Sequence, residues 1–432
     1  MTEISAPRDR NGFETAIICA LKSEADAVEA SFDKFWDDDG DPYGRAPGDT
    51  NSYTMGVIGR RNVVLAFMPG MGKGSAASVA ASIRSSFGGI KLALLVGVCA
   101  GVPNDSDDEH QILLGDVVIS KGVIQYDFGR QVDGGFKRKT DVEENLGRPN
   151  QEISSLLAKL ESARSRKRLQ DKTFSYLTDL IQKTQVRYPG AAEDKLYKST
   201  YRHKHHDLLS CTTCARCEDE GVPACDTALR SSCSELKCDE DMLIRRGRLE
   251  RAKESVDSGK AAEQKPFIHY GLVASGDAVM KSGKHRDMIA AEGNVIAFEM
   301  EGAGVWNNLP SVIIKGVCDY GDSHKSKAWQ GYASATAAAC MKAFLTEWSF
   351  PNQNQSKHSH ILHEFSLDLK LFYCSTNASG FEEAYTFNQM YLDSSVWIAD
   401  VKRFFNCFIY LTDSSISLLP FQCDINVVFC SG

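Results

Sequence analysis

The sequence predicts an α/β fold, with a mostly parallel sheet covered by helices on both faces. Three observations predict it. Short apolar runs alternate with helical patterns over residues 14–120 and again over 266–348. Several of these runs, such as KLALLVGV and SVIIKGV, are apolar almost throughout, as strands buried on both faces are. The helical stretches fall between successive strands, where parallel crossovers need them.

Along the chain, ETAIICA (14–20) reads as a strand and SEADAVEASFDKFW (23–36) as a helix. SYTMGVIG and NVVLAFM form an expected hairpin across Gly59-Arg60-Arg61. A Gly-rich turn, MPGMGKG, opens the helix SAASVAASIRSSF, and the strands KLALLVGV and ILLGDVVIS follow. Helical periodicity over 150–188 places two helices outside the sheet. Residues 190–265 are polar, Cys-rich and aperiodic, which suits an insertion or flap better than a core element. The strand pattern resumes with FIHYGLVAS, NVIAFEM and SVIIKGVCDY and ends with the helix AWQGYASATAAACMKAFLTEW. The expected organisation is a flexible N-terminus (1–13), one domain (14–348) interrupted by the 190–265 insertion, and a tail (349–432) without a motif.

Composition excludes some classes. Hydrophobic content of 43% and charged content of 25% are those of a globular chain. A formal net charge of -8 argues against a general nucleic-acid or membrane-surface binder. No apolar run is long enough to span a bilayer, and the polar start MTEISAPRDRNGFE has no signal-peptide core, so a cytoplasmic location is expected. Six of the 14 cysteines (Cys211, Cys214, Cys217, Cys225, Cys233, Cys238) fall within 28 residues, beside His203, His205 and His206. Cys211, Cys214 and Cys217 offer a weak zinc spacing, but no second clean Cys-x-x-Cys pair follows. The favoured reading is a polar insertion with reduced thiols and no metal.

The Gly-rich turn invites comparison with a phosphate-cradling loop. That pattern requires a first glycine where Phe67 stands and a Ser or Thr where Gly74 stands, so it fails at both. Lys73 then reads as a rim or surface charge. Three acidic stretches carry more chemistry. Glu24 sits just after the first strand, Glu299 and Glu301 flank Met300 where a strand meets a helix, and Asp319 lies at the lip of another strand. Ligands of α/β sheets bind outside the carboxyl ends of strands, so the three would converge on one pocket. Each taken singly also has a structural reading, as a helix-terminus charge or a turn residue.

The motifs IICALKSE, GMGKGSAASVAA, LLVGVCAGV, LLGDVVIS, GLVASGDAVM, AFEMEGAG and GVCDYGDSH stand in the order of one family. Over residues 14–145 and 266–348 the chain resembles the nucleoside phosphorylase/nucleosidase superfamily (purine and uridine phosphorylases, methylthioadenosine nucleosidases). It is most similar to a fungal branch in which the domain occurs alone or before NACHT, ankyrin or TPR modules. The resemblance implies a three-layer α/β/α sandwich around a twisted mixed sheet, a small-molecule purine nucleoside or nucleotide ligand, self-association and no cofactor.

It also implies roles. Asp319 matches the acid facing purine N7, and Glu24 the base that orients water. Glu301 matches the carboxylate binding the ribose hydroxyls, with Glu299 beside it, and Met300 packs on the sugar. Val279 and Met280 line the base, and Gly97 and Val98 the pocket wall. Burial and nearby carboxylates would help Asp319 hold a proton. Phosphorolytic relatives bind phosphate with cations and a small polar residue where this chain has Leu95 and Val98. Glu24 would repel phosphate, so hydrolysis is favoured over phosphorolysis. The family's Gly-rich run reads Val98-Cys99-Ala100-Gly101 here, which narrows the pocket and leaves a nucleotide-sensing module as a rival. A second rival, cleavage of a nucleotide such as ATP, would use FKRK (136–139), Lys281, Lys284 and Arg286 as rim charge.

Overall fold

The computed structural model describes residues 4–103, 111–133, 135–139, 146–207, 211–217, 222–251 and 265–348, with the backbone of 409–412 and 415–418. It divides into two units, Met1–Pro351 and Asn352–Gly432. In the second unit a two-stranded antiparallel hairpin, Ile409–Thr412 with Ser415–Leu418, is described. The rest of the tail, and its expected lack of a motif, lies outside the described residues.

The first unit is built on a nine-stranded mixed sheet. In chain order its strands are β1 (Thr15–Cys19), β2 (Lys34–Phe35), β3 (Ser52–Ile58), β4 (Arg61–Phe67), β5 (Leu92–Gly101), β6 (Val117–Gln125), β9 (Ile268–Ser275), β10 (Val295–Glu299) and β11 (Ser311–Asp319). The intervening β7 (Gly129–Val132) and β8 (Gly135–Arg138) form a separate hairpin. The spatial order is β10-β9-β6-β11-β5-β1-β4-β3-β2. The β1–β4, β1–β5, β5–β11, β6–β9 and β9–β10 pairs are parallel; β6–β11, β2–β3 and β3–β4 are antiparallel.

One further pairing decides where the site can be. β10 also pairs antiparallel with the far end of β5, through Ala297↔Gly101 and Phe298↔Ala100. Five strands, β5-β11-β6-β9-β10, therefore close on themselves. Closure brings the carboxyl ends of β5, β10 and β11 to one place.

Helices cover the sheet as the sequence leads one to expect. They are α1 (Lys22–Glu29), α2 (Lys73–Ser86), α3 (Gln151–Leu160), α4 (Ala163–Thr184), three short turns α5 (Thr212–Ala215), α6 (Asp226–Arg230) and α7 (Cys233–Leu236), then α8 (Gly283–Gly293), α9 (Gly302–Trp306) and α10 (Gln330–Glu347). α10 is buried along nearly its whole length, the mark of a helix with protein on every side. α4 lies over it, with Glu347 ion-paired to Arg168 and to Lys172 at 3.1 Å. Among the described residues no helix is long and apolar enough to cross a membrane.

Two elements differ from expectation. The helix expected over 23–36 stops at Glu29. The Phe32 and Phe35 rings stack at 4.9 Å, and Lys34–Phe35 joins the sheet edge opposite Gly56–Val57. Tertiary pairing overrides local helical preference there. The strand expected in ILLGDVVIS begins only at Val117. Before it, the buried Asp116 carboxylate accepts from the N–H groups of Leu113 and Phe267 and pairs with Arg248, so the chain turns.

The 190–265 insertion is also more ordered than its composition suggests. Backbone bonds join Ile244 to Leu196 and Lys198 to Met242, and buried Arg246 reaches the Tyr320 hydroxyl and Asp194. The described part of the insertion is thus docked on the segment that follows β11.

Candidate active site

Glu24 lies in the first turn of α1. Its Oε2 accepts from the N–H groups of Ala20 (2.9 Å) and Leu21 (2.8 Å), which is the capping contact expected of a first-turn acid. Its Oε1 accepts from Val98 N–H, 74 positions away on β5, at 2.8 Å, which capping does not require. A carboxylate offers about four lone-pair positions, so about one remains for a further donor such as water. Gly97 makes this possible: a Cβ there would lie 2.1 Å from Glu24 Oε1. Gly97 therefore supports the carboxylate as well as forming the wall beneath it.

Asp319 ends β11 and pairs in register with Ala100 of β5. Its Oδ1 accepts from Gly321 N–H at 2.8 Å, and its Oδ2 lies 3.1 Å from Lys325 Nζ. The charged neighbour in contact with it is thus an ammonium, while a carboxylate, Asp322, lies within its electrostatic reach. Met280 is buried against this loop. A Cβ on Gly321 would lie 3.0 Å from Met280 Cγ and 3.3 Å from Ala100 Cβ. Val279 is exposed, and Met300 is half-buried.

Glu299 and Glu301 differ in what they face. The Glu299 oxygens accept from Glu301 N–H (3.0 Å) and Gly302 N–H (2.9 Å), fixing the start of α9. Glu301 instead meets Lys315 Nζ at 3.2 Å, with both side chains buried. Lys315, from the middle of β11, pairs in register with Gly97. Burial disfavours its charge, but Glu301, Glu24 and Glu299 together outweigh this and hold the ammonium well above its ordinary value. The sequence reading passed over Lys315. The signal was present, since a lysine inside the otherwise apolar SVIIKGV must find a buried partner.

The carboxyl groups share one neighbourhood. Burial raises the Cys99 thiol, and Asp319, Glu299 and Glu24 add to the effect against Lys315. Glu24, Glu299, Glu301 and Asp319 are each at most 6% exposed. A surface groove lined by Ile112, Arg166, Phe267, Tyr270, Ala290 and Val295 holds none of them.

The Glu299 carboxyl is raised from 4.5 to about 7, by burial first and by Glu301 second. Between those values the native chain keeps a proton that the unfolded chain has released, so stability should fall as pH rises through the window. Urea unfolding at about pH 5 and about pH 8 should show this fall in the wild type and a flatter response in Glu299→Gln. Equal slopes would show that another group titrates.

Two other features resolve differently from their motifs. The N-terminus of α2, at the Gly-rich turn, receives the Asp277 carboxylate on Lys73 N–H at 2.8 Å, and Gly72 takes φ +107°. Lys73 Nζ bonds Asp127, so an internal carboxylate occupies the anion position of this turn. Arg286 is no rim charge, because it is buried and donates to the Tyr320 carbonyl at 2.7 Å. Of the three cysteines with zinc spacing, Cys211 and Cys214 join a group with His205 and Cys225, while Cys217 stands outside it.

A closed mixed sheet under helices, with a buried carboxyl cluster where β5, β10 and β11 end, is an α/β architecture with its candidate site at the strand ends. The chain belongs to the phosphorylase superfamily, whose family profile matches residues 14–346. It is 30% identical over 334 residues to a nucleotide-binding leucine-rich repeat (NLR)-like protein of Hyaloscypha variabilis, covering 76% of this chain and 28% of that one. The chain thus spans well under a third of that relative's length. Among solved structures it is similar to the 5'-methylthioadenosine/S-adenosylhomocysteine nucleosidase of Neisseria meningitidis (17% identity, TM-score 0.40, 78% of this chain and 99% of that one). It is also similar to the futalosine hydrolase of Helicobacter pylori (16% identity, TM-score 0.40, the same coverage).

Proposed function

We propose that this domain is a purine nucleosidase that hydrolyses the N-glycosidic bond of a purine nucleoside to free base and ribose. One observation carries the reading: Glu24, anchored by three N–H groups, meets β5 at Val98, Asp319 pairs in register with Ala100 of the same strand, and Glu301 is held by Lys315, which pairs in register with Gly97. Family membership supports the same roles.

In this reading Glu301 accepts the ribose hydroxyls, with Met300 against the sugar and Met280 and Val279 against the base. Water on the free lone pair of Glu24 attacks the anomeric carbon and gives its proton to that carboxylate. The bonding pair of the C–N bond leaves with the purine, and Asp319 protonates N7. The surrounding carboxylates stabilise positive charge developing on the sugar. Asp319 can donate only as an acid, so the entering purine displaces Lys325 from it. Because the cluster is buried, entry also requires the segment around Met280 and Gly321 to open.

Incubation of the purified chain with adenosine, inosine, guanosine, methylthioadenosine and ATP, with and without phosphate, tests the proposal. Purine base and free ribose should appear at rates independent of phosphate. Ribose 1-phosphate formed only with phosphate would make the domain a phosphorylase. Release from ATP alone would make it a nucleotide-cleaving enzyme, and no release from any substrate would leave a sensing module.

A further inference from the structure

The insertion gathers His203, His205 and five cysteines into two donor sets. One comprises His205, Cys211, Cys214 and Cys225; the other comprises His203, Cys233 and Cys238. Within each set the ligand atoms all lie within 4.8 Å of one another. We propose that the insertion is a zinc module, with one ion held by His205, Cys211, Cys214 and Cys225 and a second by His203, Cys233 and Cys238.

The spacing suits a common metal. Zn–N of about 2.0 Å and Zn–S of about 2.3 Å in a tetrahedron set an N···S edge of roughly 3.5 Å. His205 Nδ1 lies 3.6 Å from Cys214 Sγ and 3.5 Å from Cys225 Sγ. His203 Nδ1 lies 3.7 Å from Cys233 Sγ and 3.4 Å from Cys238 Sγ. A bend at Lys204 separates the two histidines, sending neighbouring imidazoles to different sets.

The surroundings of the donors agree. His203 Nε2 lies 2.8 Å from the Ser231 carbonyl, so Nε2 carries the proton and Nδ1 presents its lone pair to the sulfurs. Cys214 N–H points at Cys211 Sγ (3.5 Å) and Ala228 N–H at Cys225 Sγ (3.4 Å), as N–H groups do around thiolate ligands. Cys217 serves as an internal contrast. Its thiol donates to the carbonyls of Thr213 (3.3 Å) and Pro223 (3.1 Å), and it belongs to neither set.

Packing supplies a further reason. The buried apolar cluster of the insertion consists of Cys214, Cys217, Ala224, Ala228 and Leu236. So small a core needs a staple, and a structural zinc site contributes folding free energy directly. Thiolate and imidazole donors select zinc over magnesium or calcium. The four-donor set closes a tetrahedron. The three-donor set leaves its fourth position to a water. The backbone N–H of His203 also donates to Ser323 Oγ at 3.1 Å, so the module supports the loop that follows Asp319.

Metal analysis of the untagged full chain, purified without chelators, tests this independently of nucleoside cleavage. About two zinc ions per chain are expected. Cys211→Ser/Cys214→Ser should lose one, Cys233→Ser/Cys238→Ser should lose the other, and Cys217→Ser should keep both. Cobalt(II) added to chelator-stripped wild type should give thiolate charge-transfer and tetrahedral d–d absorption, whether or not the variants fold. Wild type lacking both zinc and the cobalt spectrum, or holding another metal, would overturn the module. A Cys233–Cys238 disulfide in mass mapping, or a total zinc content that the 233/238 variant leaves equal to that of wild type, would overturn the second site.

Discussion

Asp319→Asn should lower the rate of purine release by about 10²–10⁴-fold, the usual contribution of a positioned general acid. The substitution is close to isosteric. An Asn carbonyl placed at Oδ1 still accepts from Gly321 N–H, so the loop after β11 keeps its turn. What is lost is the ability to carry a proton to N7, together with the ion pair to Lys325. The loss should therefore appear in kcat, with KM within about three-fold of wild type. Steady-state assays of base release on both proteins give the comparison. Near-normal turnover in the variant would remove Asp319 from the chemistry and would favour a binding role for the domain.

Lys315→Met should destabilise the fold by about 3–5 kcal/mol, as expected when one partner of a buried ion pair is removed. Lys315 is 1% exposed and faces Glu301 directly, with Glu24 and Glu299 within its electrostatic reach. Methionine fills much the same volume, so packing loss is a minor part of the effect. The major part is carboxylate charge left in a low-dielectric interior without its cation. Urea unfolding at neutral pH measures it, and Lys315→Arg should recover part of the stability because the charge returns. A Lys315→Met chain as stable as wild type would show that the carboxyl groups nearby are already neutral.

Much of the architecture was legible in the sequence because it is written in local patterns. Apolar runs such as KLALLVGV and SVIIKGV became β5 and β11, and SYTMGVIG with NVVLAFM became the β3–β4 hairpin. Phe35 was misread as helical because its partner, Gly56, is remote in sequence. The candidate site was partly legible for the same reason. Acidic residues after apolar strands mark strand ends, and Glu24, Glu301 and Asp319 stand there. Lys315 was overlooked because a single charge inside a strand has no periodic signature.

Local patterns along the chain were enough to set the alternation of strands and helices, the family, and which acidic side chains stand at strand ends. All of these depend on neighbours a few positions apart. Folding in three dimensions was needed to show that β10 returns to β5, that Val98 N–H meets Glu24, that Lys315 meets Glu301, and that His203 and His205 sort to different cysteines. Those contacts form where chain closure brings distant segments together, and buried charge then selects the partners that can neutralise it.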